Sequence, residues 1–156
     1  MAKGFFFKSF IMSQYLRYRK SLDIRWADLD PNFHVLHSKY YDFGAYCRMS
    51  FMTENGLDPA FLKSHHIGPI IFREQCYFRK EINFGDALTI DMEISSMSTD
   101  GSRWSMKHDL WINDDVLAAK IDLDGAWLNT LTRKLTAVPE SVMQVFHLAY
   151  NSNGEK

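Results

Sequence analysis

The sequence predicts an α+β domain: one antiparallel curled sheet of about five to six strands around a long central helix. Two observations predict it. Five segments alternate apolar and polar residues with period two, as half-buried strands do. One segment, residues 38–54, instead repeats at helical spacing and is apolar over roughly 200° of its circumference. So apolar a helix requires something wrapped around it.

The first strand pattern lies between Tyr15 and Ala27, with Leu22, Ile24 and Trp26 on one face and Ser21, Asp23 and Arg25 on the other. It stops at the turn formers Asp28-Leu29-Asp30-Pro31-Asn32. Ser38 is placed as an N-cap, with Asp42 in the first helical turn and Asn55-Gly56 closing the C-terminus. Phe43, Cys47, Tyr40, Phe51, Gly44, Tyr41, Met52 and Ala45 fill the apolar arc; Arg48 falls inside it and needs a partner. Asp58-Pro59 opens a short helical piece to about Ser64.

Four strand patterns follow, read as hairpin-linked. The first puts Phe72, Glu74, Cys76 and Phe78 on one face. Asn83-Phe84-Gly85-Asp86 turns the chain into the second, with Leu88, Ile90, Met92 and Ile94 inward. Asp100-Gly101 is a hairpin signal before the third, with Trp104, Met106, His108, Leu110 and Ile112 inward. Asn113-Asp114-Asp115 leads to the fourth, with Leu117, Ala119, Ile121 and Leu123 inward. The opposite faces carry alternating charges, which predicts an outer sheet surface covered mostly by water. Pro139 marks a break, and a short helix from Glu140 to about Ala149 closes the domain. The expected organisation is an N-terminal extension (residues 1–14), a single domain (15–150) and a frayed tail (151–156).

Composition sets bounds on function. The chain has 156 residues, 46% apolar and 24% charged, with a formal net charge of -1. That supports one well-packed domain and lacks the basic excess of a nucleic-acid binder. No apolar run approaches the length of a membrane span. Cys47 and Cys76 lack CxxC spacing, and two free thiols fit a cytoplasmic location. His65-His66 is a solvated pair on a polar loop, and His108 a core histidine. No spacing suggests a metal site, and no cofactor is expected.

The segment Ile24 to Asp58 carries the chemistry: Asp28-Leu29-Asp30 at the end of a strand, then His34-Val35, then Tyr40, Arg48 and Asn55-Gly56-Leu57. It resembles the hotdog-fold thioesterases, in the branch of the 4-hydroxybenzoyl-CoA and short acyl-CoA thioesterases. Phe78-Arg79-Lys80, Gly85-Asp86, Arg133 and Pro139-Glu140 match looser landmarks, so the resemblance covers roughly residues 15–148. Two positions depart from the family: Phe33 stands where a glycine is usual, and Leu36-His37 where Asn-Asn often follows.

The resemblance implies hydrolysis of an acyl-CoA thioester in a homodimer or dimer of dimers, with the acyl tunnel at the subunit interface. Thioester hydrolysis needs a carboxylate that attacks or activates water, and donors for the oxyanion. The resemblance puts the carboxylate on Asp30, with the first N–H groups of the helix as donors. Asp28 shapes the turn. His34 is placed to orient substrate or shuttle a proton, Asn32 to position a water, and Tyr40 to bind substrate. Glu74 is either a second carboxylate in the acyl pocket or a buried partner for Arg48. Arg79 and Lys80, with Arg133 and Lys134, are candidates for the coenzyme A phosphates. The alternatives are an acyl carrier protein thioesterase and a non-catalytic hotdog that binds acyl thioesters.

Overall fold

A computed structural model describes residues 17–150. The expectations for residues 1–14 and 151–156 lie outside the described residues. Five strands form one antiparallel sheet: β1 (Tyr18–Leu22), β2 (Ile67–Phe78), β3 (Leu88–Met97), β4 (Arg103–Ile112) and β5 (Val116–Asn129). Their order is β1-β3-β4-β5-β2. Helix α1 (Lys39–Glu54) lies in the curl of the sheet, α2 (Pro59–Ser64) follows it, and α3 (Glu140–Leu148) packs Phe146 against Trp104 and Trp127.

The inward residues of β3 to β5 form the core as expected: Leu88, Ile90, Met92, Ile94, Met106, Leu110, Ala119, Ile121 and Leu123 are all buried. On α1 the buried positions are Tyr40, Phe43, Gly44, Cys47, Arg48, Phe51 and Met52, an unbroken i, i+3, i+4 stripe. The stripe is narrower than the expected arc. Ala45 is exposed with Tyr46 and Met49, because the sheet wraps one side of the helix and stops at the β2 edge. Ser38 occupies the N-cap position, but its hydroxyl accepts no first-turn N–H. Asp58 does cap α2, accepting from the Phe61 N–H at 2.8 Å.

Four expectations are corrected. The first strand ends at Leu22; Trp26 starts a short 3-10 turn to Asp28 and is exposed, its ring stacked on Phe84. β2 and β3 do not form a hairpin: β2 pairs with β5, and β3 with β1 and β4. The turn residues at 83–86 reverse the chain, but the nine residues between Phe78 and Leu88 carry it across the sheet to a different neighbour. A register slip between Ile71 and Arg73 takes Phe72 out of the inward face, and its ring lies under the Arg103 guanidinium at 5.6 Å.

The outer sheet face is the fourth. It is charged, as read, yet Asp91, Glu93 and Asp109 are buried there. Arg17 reaches Asp109 at 2.8 Å and Glu93 at 2.9 Å, and the Trp111 indole donates to Asp91 at 3.0 Å. Long cross-strand side chains lie over short acids and pair with them, which keeps water off.

Candidate active site

After β1 the chain folds back on itself around Asp30. Leu29 bridges to Val35, the Asp30 N–H donates to the His34 carbonyl at 2.8 Å, and the Phe33 N–H donates to the Asp30 carbonyl at 2.9 Å. Closing so short a loop demands a left-handed residue, and Phe33 takes it at φ 64°. This is the position where the resembled family favours glycine, the residue that takes a left-handed backbone without strain.

Inside this loop the Asp30 carboxylate is held by backbone alone. Its Oδ1 accepts from the Asn32 N–H at 2.8 Å and the His34 N–H at 3.2 Å, while no partner for Oδ2 is present among the described residues. Asp28 has the opposite surroundings. It is 1% exposed, and both its oxygens bond Arg25, whose guanidinium and N–H hold the carboxyl below the usual carboxylate range. The turn role assigned to Asp28 fits this geometry.

The crossing from β2 to β3 completes the site. Ile82 is fully buried and its carbonyl accepts from the Val35 N–H at 2.8 Å; Asn83 bridges to His34. This pins residues 79–83 against the Asp30 loop. A cleft of about 310 Å³ results at the N-terminus of α1. Asp30, His34, Tyr40, Phe78, Arg79 and Lys80 line it. Tyr40 and Phe78 meet edge to face at 4.9 Å. Burial pushes the Tyr40 phenol up to about 12, so near neutral pH it is a proton-bearing donor. His34 Nε2 lies 3.2 Å from Glu81. Arg79 and Lys80 are exposed, their N–H groups bound to the Ala118 carbonyl.

Of the residues singled out from sequence, Asp30, His34, Tyr40, Arg79 and Lys80 therefore share one cleft. Asn32 does not line it; the residue is exposed and contributes its backbone N–H to Asp30. Glu74 is elsewhere, 3.0 Å from Arg48 within the same chain, as the partner-for-Arg48 reading expects. Arg48 also donates to His108 Nε2 at 3.1 Å, and His108 Nδ1–H donates to the Asp91 carbonyl at 3.1 Å, which fixes the neutral tautomer. Burial, then the Arg48 charge, push His108 down to about 3. His37, Phe78 and Glu81 also line the cleft and were not foreseen. Phe78 ends β2 and Glu81 lies in the crossing connection, for whose path a single sequence carries no signal.

No group of residues able to hold a metal is present among the described residues, and no helix there is long and apolar enough to cross a membrane. A search of curated proteins finds no match. Solved structures of similar fold include a Pseudomonas aeruginosa protein, 18% identical over 90% of this chain and 95% of that one, with a TM-score of 0.78. A 1,4-dihydroxy-2-naphthoyl-CoA thioesterase from Synechocystis is 14% identical over 84% of this chain and 96% of that one, with a TM-score of 0.75. A Thermus thermophilus thioesterase complexed with coenzyme A and zinc is 21% identical over 84% of this chain and 92% of that one, with a TM-score of 0.69. These likenesses agree on the hotdog fold. The family model described as the Thioesterase-like superfamily matches residues 24–146, which takes in the Asp30 loop, α1, the crossing and most of α3. The chain belongs to the Thioesterase-like superfamily and is a hotdog-fold thioester hydrolase.

Proposed function

We propose that the chain hydrolyses an acyl-CoA thioester, with Asp30 as the reacting carboxylate. One observation carries this reading: a carboxylate with one oxygen fixed by two backbone N–H groups sits in a cleft at the N-terminus of α1. The Lys39 N–H is bonded to the Leu36 carbonyl at 2.9 Å, so the next first-turn N–H groups, which the Ser38 hydroxyl does not cap, are the oxyanion donors. Asp30 either attacks the carbonyl carbon or takes a proton from the water that does. In both routes the C–S bond breaks, coenzyme A leaves as the thiol after taking up a proton, and one water is consumed. His34 and the Tyr40 hydroxyl orient the thioester. The exposed Arg79 and Lys80 meet the phosphates of coenzyme A; bound coenzyme A in a similar fold supports that partner.

The active assembly is a homodimer or a dimer of dimers. Among the described residues the edge of β2 is unpaired and exposes Ile71, Tyr77 and Phe78, with Met49 of α1 beside Ile71. An edge strand and helix flank so apolar call for a second copy.

Paired kinetics test the mechanism. Asp30→Asn keeps the shape and is expected to lower kcat about 10²–10⁴-fold on an acyl-CoA that the native protein hydrolyses. Asp28→Asn is expected to lower stability with a much smaller change in kcat. Native kcat in Asp30→Asn, with folding verified by circular dichroism, refutes the assignment.

A further inference from the structure

A second cavity, of about 170 Å³, lies between α1 and the sheet and shares no lining residue with the Asp30 cleft. Met49 of α1 and Ile71 of β2 are exposed and mark its mouth. Met52, Met92, Met106 and Trp104 are buried and form its inner wall. Methionine side chains adapt their shape to what they touch. Arg48 is the one charged residue of the lining, and Glu74 at 3.0 Å balances it.

Two costs meet in this wall. Protein interiors leave few spaces larger than a water molecule, and an apolar space gives water too few partners to hold it. The Trp104 indole N–H is buried and has no acceptor among the described residues. A buried donor without an acceptor is both rare and costly. The ring is not there through loose packing. Gly125 makes room for it, since a Cβ at that position would collide with the Trp104 ring and with the Ile70 carbonyl. One molecule answers both costs if it brings an apolar body for the methionines and an acceptor for the indole.

We infer that this cavity is a binding site, separate from the Asp30 cleft, for a small neutral molecule of one ring with one hydrogen-bond acceptor, of the aryl ketone class, whose acceptor takes the Trp104 N–H. Size sets the single ring, because a cavity of about 150 Å³ holds benzene. Charge sets neutrality: a carboxylate would bring a second anion to an arginine that Glu74 already balances. The lining holds no carboxylate, thiol, imidazole or hydroxyl, so the occupant is held and not transformed. In the homodimer proposed above, Met49 and Ile71 face the second copy, which encloses the occupant. The inference does not rest on the thioesterase reading.

The probe is acetophenone. Its acceptor-free match is α-methylstyrene, in which a methylene replaces the oxygen, and its charged match is benzoate. Titration of nitrogen-labelled protein reads the four indole N–H resonances, assigned by single Trp→Phe variants. Acetophenone is expected to move the Trp104 resonance saturably and more than the other three. α-Methylstyrene is expected to bind about 3–10-fold more weakly, and benzoate at least about tenfold more weakly. Trp104→Phe removes the difference between the two neutral probes. Ala45→Phe, which adds a ring to the lining from an exposed position on α1, abolishes the binding of both. No saturable shift up to the solubility limit overturns the site. So does α-methylstyrene or benzoate binding as tightly as acetophenone, or binding that survives Ala45→Phe. Displacement of acetophenone by coenzyme A puts the probe in the Asp30 cleft and also overturns it. If Trp104→Phe fails to fold, the probe series on the native protein and on Ala45→Phe decides.

Discussion

Asp30 precedes α1 and Glu74 packs against its middle, and the fold treats their carboxylates in opposite ways. Asp30 is held by two peptide N–H groups, which fix its orientation without supplying a countercharge. Glu74 is held by a guanidinium that is itself bonded to a buried histidine. Backbone donors leave a carboxylate placed and available. A buried arginine leaves it placed and neutralised. The comparison teaches that the partner, more than the acid, separates a reacting carboxylate from a structural one.

Removing one partner of the Arg48–Glu74 pair breaks the comparison most severely. Arg48→Ala leaves the half-buried Glu74 without its cation, and a loss of about 3–5 kcal/mol is expected in urea unfolding. The double change to methionine removes both charges and is expected to cost far less, or nothing. Equal losses in the two variants show that packing, and not the pair, sets the stability there.

A smaller effect comes from His108. Its folded value of about 3 lies below the ordinary 6.5, so between those values the unfolded chain takes up a proton that the folded chain refuses. Stability is therefore full above pH 6.5 and falls as the pH drops toward 3. His108→Gln, which retains an amide acceptor and donor, is expected to flatten the melting temperature between about pH 6.5 and 4.5. Above the carboxylate range this window reports the histidine. An unchanged slope means that another group carries the dependence.

The smallest effect sharpens the loop side. Phe33 is 66% exposed and left-handed, so glycine there relieves strain and loses little packing. Phe33→Gly is expected to stabilise by up to about 1 kcal/mol, and Phe33→Val to destabilise by a similar amount, in thermal melts. If valine melts like the native protein, the loop is not strained at this position.

Most local structure was legible because its signals are local. The stripe on α1, the Asp58 cap, the Asp100-Gly101 hairpin and the break at Pro139 each depend on a few neighbouring residues. Arg48 announced a partner because a charge in an apolar arc needs one. The pairing of β2 with β5 was not legible: the turn residues at 83–86 reverse a chain but do not choose its neighbour. That choice brings Glu81 and Phe78 into the cleft. The burial of Asp91, Glu93 and Asp109 was hidden for a related reason, since alternation reports a face and not what lies over it. Asn32 was read for its side chain, whereas the loop uses its peptide.

The crossing has a kinetic consequence. β2 and β5 pair residues 41 to 62 positions apart in the chain, a long loop to close before any contact repays its entropy. The Asp30 loop can form by itself, and α1 is local, but the wall carrying Arg79, Lys80 and Glu81 reaches them only when that ladder is in register. During refolding, helical signal is therefore expected to return before the cleft exists. The protein regains its shape in outline first and its chemistry last.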